Sequence, residues 1–516
     1  MAQAQTDVVT EAKSPARSIS ATPVIAPSAS AEQRYNVRAF GAVGDGKTLD
    51  SPAMNRAIEA CAQAGGGTVY VPPGAYLCGS IRMKSNIHLH IEAGATILGA
   101  PQEMKAYDPP EPFAGTAYQD GGHTYFHNSL IWGEGLTNVW ITGLGLINGG
   151  GLTRIDKEVG KGPIGLGDKA IALRRCQNVL IRDITIFHGG HFAIIVTGCD
   201  NMTIDNVTID TNRDGLDLDC CRNTTVSNCR INSPDDDGLC PKSSYGLGEA
   251  RITENMTIVN CQVSGFEEGT LLDGRMIPSH SRTGRIKFGT ESNGGYRNIT
   301  VANCTFRQCR GLALEEVDGG ILENITIDNL TMMDVADYPI FIRLGRRNRG
   351  PEGTKVGTVR NVFISNVIAT GIDSKSGVQI MGLPGYDIEG VRLQNIRLQF
   401  KGGGTKDDGK RLPPELEKDY PEPERFGMMP AYGLFARHVR NLEIADFRVG
   451  FEEQDLRPSM VCVDVDGLEI DNYKAQTAKG VPAARFDGVD GLVIRNSPVL
   501  DGLTAGRRER SLGAIR

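Results

Sequence analysis

The amino-acid sequence predicts an all-β protein that coils as a right-handed parallel β-helix, a solenoid in which each turn pairs with the next. A unit reading Asn-hydrophobic-x-hydrophobic-x-Asn-x-x-hydrophobic recurs along most of the chain, and repeats of this kind indicate a solenoid. Within each unit Val, Ile and Leu alternate with polar residues, which is the period of a half-buried strand. Turns, never helical crossovers, separate these short runs. The pattern therefore favours a coil over a doubly wound sheet.

The spacing of the units separates the turns of the coil from its loops. Copies beginning at Asn178, Asn201 and Asn223 lie 23 and 22 residues apart, whereas those at Asn255 and Asn298 follow after 32 and 43. A turn is therefore about 22 residues, and the surplus is loop. Further copies begin at Asn86, Asn138, Asn324, Asn361, Gly390, Asn441, Gly467 and Gly491. The Asn residues are expected to stack as a ladder at the corners, where the side chain bonds the backbone of a tight turn.

The N-terminal region precedes the regular coil. Residues 1–33 are rich in Ala, Ser, Pro, Thr and Gln, a composition that predicts a disordered tail. Apolar residues at helical spacing then predict one helix from about Ser51 to Ala64, with Asp50 or Ser51 as the N-cap. This helix would cover the open end of the coil, which needs a cap. Residues 35–516 are predicted to form one domain.

Charge and cysteine content limit the partners. A formal charge of −7 and a pI of about 5.7 argue against nucleic acid or an anionic membrane surface. Cys229, Cys261 and Cys304 each follow the second Asn of a unit, so a ladder of buried thiols is expected. No Cys-x-x-Cys occurs, which excludes the usual zinc spacing. The opening MAQAQ is similar to the product of an Ala-x-Ala cleavage site, and a secreted or periplasmic location is expected.

Carboxylates recur at one depth of the repeat. Asp214 lies 13 residues after Asn201, and Asp236 lies 13 residues after Asn223, which predicts that the two stack directly on the outer face. Strands are about 4.8 Å apart, so these groups and Asp237 should repel one another and raise at least one pKa. A protonated acid beside ionised carboxylates suits glycosidic cleavage, with about 6.5–9.5 Å between the two groups in inverting enzymes. A solvated acidic corner or a calcium site is the alternative.

Two cations on one strand favour the catalytic interpretation. Arg285 and Lys287 stand on the turn after the acidic residues. Together they would clamp a substrate carboxylate or sugar hydroxyls, with Arg able to bind in a bidentate way.

With these motifs in order, the chain resembles glycoside hydrolase family 28, the polygalacturonases and rhamnogalacturonan hydrolases, over roughly residues 35–500. Asn212-Arg213-Asp214 corresponds to the family's Asn-Thr-Asp, and Asp236-Asp237 through Lys242 corresponds to its Asp-Asp-x-x-x-x-Lys run. Arg285-Ile286-Lys287 matches Arg-Ile-Lys in full. The opening FGAVGDGKT from Phe40 is also similar to the family's N-terminus.

The resemblance implies roles for these residues. Asp236 would be the general acid, Asp214 and Asp237 would position and deprotonate the water, and the anomeric centre would be inverted. Arg285, Lys287 and Lys242 would bind substrate. Where the family has Gly-His-Gly, this chain reads Gly-Phe-Glu-Glu-Gly with Glu268. A carboxylate there would repel a galacturonate, which favours rhamnogalacturonan over homogalacturonan.

Other polar residues are candidates for the substrate groove, each with a structural role as the alternative. They are His191, Glu291, Glu315 and Arg343. Inserts at 99–130, 270–284 and 402–432 could close one end of the groove, which predicts an exo-acting enzyme.

The expected partner is an acidic plant cell-wall polysaccharide or oligosaccharide, bound by a monomer without metal or cofactor. Three alternatives stay open. An exo-polygalacturonase would act on homogalacturonan. A polysaccharide lyase would need calcium-binding carboxylates. A non-catalytic glycan-binding β-helix would use the same coil without aligned acids.

Overall fold

The computed structural model describes residues 34–112, 121–153 and 167–504. Within them the predicted parallel β-helix is confirmed, because each strand pairs in parallel with the equivalent strand one turn further along the chain. The tail predicted at 1–33 lies outside the described residues.

Two helices are present in the described ranges, α1 (Ser51–Gln63) and α2 (Gly121–Thr124), with short 3-10 helices at Val37–Phe40, Gln102–Met104, Asp408–Lys410, Pro423–Phe426 and Pro498–Leu500. The strands in chain order are β1 (Arg34–Asn36), β2 (Asp45–Leu49), β3 (Gly67–Val71), β4 (Gly74–Cys78), β5 (Ile81–Arg82), β6 (Ile87–Ile91), β7 (Ala95–Gly99), β8 (Ile131–Glu134), β9 (Thr137–Thr142), β10 (Leu146–Asn148), β11 (Lys169–Arg174), β12 (Gln177–Arg182), β13 (Thr185–Phe187), β14 (Phe192–Thr197), β15 (Asp200–Asp205), β16 (Thr208–Asp210), β17 (Asp214–Asp219), β18 (Arg222–Ser227), β19 (Arg230–Asn232), β20 (Leu239–Lys242), β21 (Thr253–Val259), β22 (Gln262–Ser264), β23 (Lys287–Phe288), β24 (Gly295–Arg307), β25 (Arg310–Glu316), β26 (Ile321–Met333), β27 (Ala336–Leu344), β28 (Thr358–Ile372), β29 (Val378–Met381), β30 (Ile388–Gly402), β31 (Leu434–Glu453), β32 (Met460–Asp471), β33 (Lys474–Ala475) and β34 (Ala484–Arg495).

One face of the coil, here called the site sheet, carries the predicted chemistry. Its first six strands are β5, β8, β11, β14, β17 and β20. A bridge between Leu239 and Ile286 continues the face into β23, which pairs with β25. Strands β27 and β29 and the start of β31 follow in register. Outward residues of successive turns therefore stack in rows along the coil axis.

Asparagine corners fix the register of the turns. Asn178, Asn201 and Asn223 have φ of 55°, 54° and 53°, a left-handed backbone that Asn tolerates better than most residues. The side-chain amide of Asn201 donates to Asn178 at 3.4 Å, and that of Asn223 donates to Asn201 at 3.2 Å. The predicted asparagine ladder is confirmed.

The bore of the coil is lined mainly by apolar side chains. Alternate residues of the long strands point inward, as in β26, where Leu322, Ile325 and Ile327 are almost fully buried. All twelve cysteines are free and buried, which confirms the thiol ladder and is consistent with their use as small hydrophobes.

Helix α1 closes the first turns of the coil. It buries Ala53, Met54, Ala57, Ile58 and Cys61 against the core, as the 3.6-residue period predicts. Asp50 occupies the N-cap position, but its carboxylate accepts the N–H groups of Val43 and Gly44 and does not cap the helix. None of the helices described here is long and apolar enough to span a bilayer.

Two inserted segments lie over the site sheet. Residues 121–130, here the N-terminal cover, place Phe126 against Ala172, Phe192 and Ile195 of β11 and β14. Residues 402–432, here the C-terminal cover, pack on strands β25, β27 and β31 through a buried cluster that includes Phe426 and Met429. The outward face is consequently covered on both sides of strands β17 and β20.

Candidate active site

The three predicted catalytic carboxylates converge in the gap between the two covers, where Asp214 and Asp237 are buried and Asp236 is half-buried. One oxygen from each of Asp214, Asp236 and Asp237 lies within 4.8 Å of the others. Asp214 begins β17, while the other two belong to the turn that precedes β20.

The predicted vertical pairing of Asp214 with Asp236 is wrong by one residue. Leu216 pairs with Leu239, and the N–H of Gly215 donates to the Asp237 carbonyl at 3.0 Å, so Asp214 is level with Asp237. The strands on the preceding face pair Asp210 with Asn232. The turn before β20 therefore holds one residue more than the turn before β17, and Asp236 bulges above the pair.

The surroundings divide the three carboxyl groups. Burial raises the pKa of Asp237, but Arg285 Nε at 2.6 Å and Lys287 Nζ at 3.1 Å outweigh it and hold that pKa below its ordinary value. Burial, followed by repulsion from Asp236, raises the pKa of Asp214 well above its usual range. Burial and repulsion from Asp237 likewise raise the pKa of Asp236, although Arg213 pairs with it at 2.9 Å. The negative charge is therefore most stable on Asp237, and protons are held on its neighbours.

Lys242 joins the cluster to the predicted candidate Glu291 and to two groups that the sequence analysis missed, Asp217 and His123. Its Nζ lies 3.0 Å from Asp217, 3.6 Å from Glu291 and 3.9 Å from Asp214. His123 of the N-terminal cover completes the set, with Nε2 at 3.2 Å from Lys242 Nζ. Burial raises the pKa of Asp217 to about 6 against the opposing charge of Lys242. Asp217 lies on β17, the same strand as Asp214, so its acidic side chain was visible in the sequence as a candidate. Nothing in the sequence points to His123.

Arg285 and Lys287 lie beneath the C-terminal cover and not on an open groove. Their exposed fractions are 1% and 2%. Arg285 donates to Glu422 at 2.9 Å and to the Tyr338 hydroxyl, and Lys287 donates to the Tyr420 hydroxyl at 3.2 Å. In this arrangement the two cations neutralise Asp237 and Glu422. Contact between either cation and substrate stays a prediction.

Two other candidates, Glu315 and Arg343, lie on the site sheet, and only Glu315 faces a residue of the carboxylate cluster's surroundings. Glu315 faces Lys287 at 3.8 Å, and burial raises its pKa to about 7 despite that charge. Arg343 pairs in register with Glu315, but its guanidinium donates to the carbonyls of Glu415 and Leu416. Arg343 thus holds the C-terminal cover in place.

Glu268 and His191 contact residues of the turns that precede Asp214. Glu268 pairs with His188 Nδ1 at 3.1 Å and stands close enough to Asp210 to raise the pKa of that residue, after burial. His191 is buried and packs edge-on against Phe192, which pairs with Asp214 in the sheet. His188 was not among the predicted site residues.

Within the described ranges, two clusters have the donor atoms for a metal ion. The Asp214–Asp236–Asp237 group already contacts Arg213, Lys242, Arg285 and Lys287. The second group consists of Glu111, His127 and Glu134. Its two glutamates pair with Arg174 at 2.9 and 2.8 Å, and Glu111 accepts the N–H of Phe126 in the N-terminal cover. A divalent cation would compete with these side-chain cations at both places.

Family models and known proteins match parts of this chain. Residues 34–160 match the family described as Rhamnogalacturonase A/epimerase, pectate lyase-like, and residues 136–276 match the Right handed beta helix region. A probable polygalacturonase from Vitis vinifera is 28% identical over 296 residues, which cover 52% of this chain and 60% of that protein. An exopolygalacturonase from Platanus acerifolia is 26% identical over 393 residues, covering 72% of this chain and 91% of that protein.

A solved structure shows the same relationship. The exopolygalacturonase from Thermotoga maritima superposes with a TM-score of 0.57 at 25% identity, covering 72% of this chain and 87% of that one. Taken with the carboxylate cluster, these relatives indicate that the chain is a pectin-degrading glycoside hydrolase similar to polygalacturonases.

Proposed function

We propose that the protein is an exo-acting polygalacturonase that removes sugar units from a chain end of homogalacturonan, with Asp236 as the general acid. The observation that carries this proposal is the position of the three carboxylates in a gap between two covers of the site sheet. The relatives named exopolygalacturonase support the same activity.

The pKa differences divide the chemical work. Asp236 is half-buried with a raised pKa, so it can hold a proton and give it to the glycosidic oxygen as the C–O bond breaks. Asp237 keeps its charge through Arg285 and Lys287, so it can accept a proton from the attacking water. Asp214, whose raised pKa keeps it protonated, would position that water by a hydrogen bond. The water's oxygen then forms the new bond to the anomeric carbon, and the two protons exchanged leave the overall charge unchanged.

Inversion of the anomeric configuration is part of the proposal. The closest oxygens of the cluster lie within 4.8 Å, nearer than the about 6.5–9.5 Å between carboxyl groups of most inverting enzymes. The outcome is therefore to be measured on the product and not taken from this distance.

The covers support exo action. Phe126 is fully buried on one side of the cluster and Phe426 is 1% exposed on the other, so a polymer lying along the site sheet would have to displace apolar contacts on both sides. A chain end needs only the gap. An endo-acting enzyme would need an open groove over several turns.

Rhamnogalacturonan is the second candidate substrate, favoured by Glu268. Its carboxylate lies near Asp210, and this local negative charge would oppose a galacturonate more than a neutral sugar. A secreted or periplasmic location and a monomeric state also stay predictions.

Product analysis tests the function. Homogalacturonan and rhamnogalacturonan oligosaccharides are digested, and products are followed by mass spectrometry and anomeric NMR. We expect homogalacturonan to give small, saturated products with inverted anomeric configuration from the earliest time points. Larger fragments at early times would refute exo action, and an unsaturated product would indicate a lyase.

A matched pair of variants assigns the acid. Asp236→Asn should lower kcat about 10²–10⁴-fold, the usual contribution of a general acid. Asp235→Asn removes the exposed neighbouring carboxylate and should leave kcat unchanged. Equal losses of kcat in both variants would contradict the assignment of Asp236 as the acid. In a separate measurement, addition of a chelator is expected to leave the wild-type rate unchanged.

A further inference from the structure

A second charged feature lies on another face of the coil, away from the carboxylates. Arg397 on β30 pairs in register with Arg448 on β31, and Arg448 pairs with Lys474 on β33. These three residues, here called the cation ladder, are all exposed. Successive positions are about 4.8 Å apart, so three positive charges stand in one row.

No carboxylate neutralises this row among the residues that the structure describes. None of the three cations has an ion pair or a hydrogen bond to a described side chain. Like charges directly opposite one another destabilise a sheet. The row is therefore an unfavourable arrangement for the protein alone.

The rest of the coil shows how the same fold neutralises its cations. Arg297 stands between Glu254 and Glu323 in register, and its guanidinium is 2.7 Å from Glu254. The signs alternate over eight consecutive turns, a row here called the alternating ladder: Arg222, Glu254, Arg297, Glu323, Arg360, Glu389, Arg440 and Asp466. The cation ladder lacks this alternation of charge, although it lies partly on the same strands, β30 and β31.

The surface around the cation ladder is concave and suited to sugar. It lines a cavity of about 390 Å³ that also includes Gln399, Gln476 and the exposed Ile368. Amide side chains can bond hydroxyl groups, and the apolar patch offers a surface for the carbon face of a ring. Three cations in a row match a polymer that carries one carboxylate on each sugar.

We propose that the cation ladder is a non-catalytic docking site for an acidic polysaccharide, the polymer whose chain end the proposed function assigns to the carboxylate cluster. The two sites lie five turns apart along the coil, about 24 Å at the spacing of parallel strands, on different faces. Docking would hold the insoluble or long substrate near the enzyme while another chain end enters the gap. The class of ligand rests on the proposed function, whereas binding itself is independent of catalysis.

The test measures binding by retardation of the protein in native gels that contain polygalacturonate or neutral dextran. An Asp236→Asn background prevents cleavage. The triple variant Arg397→Gln/Arg448→Gln/Lys474→Gln should lose about tenfold in affinity for polygalacturonate, as three exposed charge contacts predict. Neither protein should be retarded by dextran.

A matched control removes the same charge from paired arginines. Arg360, Arg392 and Arg440 are similarly exposed but are bound to Glu323, Glu443 and Asp387 at 2.6, 3.0 and 3.2 Å. Their triple Gln variant should bind polygalacturonate as the parent does. An equal loss of affinity in the control would overturn the proposal, because it would show that binding depends on the overall charge of the protein and not on the cation ladder. Stronger retardation by single-stranded DNA than by polygalacturonate would overturn the choice of ligand.

Activity measurements separate this proposal from the proposed function. In the active enzyme, the cation-ladder variant should cleave a trisaccharide at the parent rate and a long polymer several-fold more slowly. Absence of cleavage by the parent, with the retardation intact, would reject the proposed function and leave the docking site standing. Thermal unfolding of both triple variants checks folding, and the single Arg448→Gln variant replaces the triple if the latter unfolds, with a smaller loss expected.

Discussion

The alternating ladder and the carboxylate cluster use the same repeat to opposite effect. In the alternating ladder each carboxylate faces cations on neighbouring turns, and the charges remain partly in solvent, with the Arg297 side chain 40% exposed. In the cluster, Asp214 and Asp237 face one another at 4% and 2% exposure, and Asp236 bulges beside them. Stacking by a periodic coil thus gives modest stabilisation where signs alternate and displaced pKa values where they coincide. The difference lies in burial and sign, not in backbone geometry.

Removal of the cluster's charged carboxylate gives the largest expected effect. Asp237→Asn should lower kcat about 10²–10⁴-fold. It should also lower the free energy of unfolding by about 3–5 kcal/mol, because Arg285 and Lys287 lose a buried partner. Steady-state kinetics and urea unfolding measure the two quantities. Glu323→Gln, the equivalent neutralisation in the alternating ladder, should change both very little, and similar losses in the two variants would remove the distinction.

Removal of a cation from the cluster comes next. Lys242→Met leaves Asp214, Asp217 and Glu291 facing one another without their shared partner, and we expect a loss of about 3–5 kcal/mol at pH 8. At pH 5 the loss should be smaller, because the carboxyl groups, whose pKa values rise in the variant, can take up protons. Urea unfolding at both pH values tests this. A loss independent of pH would show that packing of the lysine stem, and not its charge, is what matters.

A smaller, pH-dependent effect is expected for Glu315. Its pKa is about 7 in the folded protein against an ordinary value of 4.5, so between these values the folded state binds more protons than the unfolded state. Stability therefore decreases as pH rises from about 4.5 to about 7. In Glu315→Gln this contribution disappears. The free energy of unfolding of the variant should therefore increase, relative to that of the wild type, as pH rises across that window. Parallel profiles would contradict the raised pKa.

The smallest effect belongs to the alternating ladder itself. A double-mutant cycle with Glu254→Gln and Arg297→Gln should give a coupling of about 0.2–1 kcal/mol, typical of exposed pairs. The coupling should fall towards zero in about 1 M salt, because screening is then nearly complete. A coupling that persisted in salt would place this pair with the buried charges and weaken the comparison.

The sequence predicted that the three carboxylates lie together, but it did not predict which side chains surround them. Asp214, Asp236 and Asp237 were brought together by the length of the repeat alone, since equal offsets in a coil of constant turn give equal positions. The single extra residue in the turn before β20 changed the pairing by one position. Such a bulge alters no hydrophobic pattern, so its position becomes visible only when the strands are paired.

The sequence by itself determined the coil, the asparagine corners, the buried thiols and the identity of the three carboxylates, because each follows from a local period. The tertiary structure decided what surrounds them. Glu422 and Tyr420 reach Arg285 and Lys287 across more than 130 residues, and His123 reaches Lys242 across 119. Loops of this kind carry no period, and their side chains are placed by packing on the site sheet. The direction of each pKa shift and the closure of the groove therefore depend on contacts that no spacing in the sequence specifies.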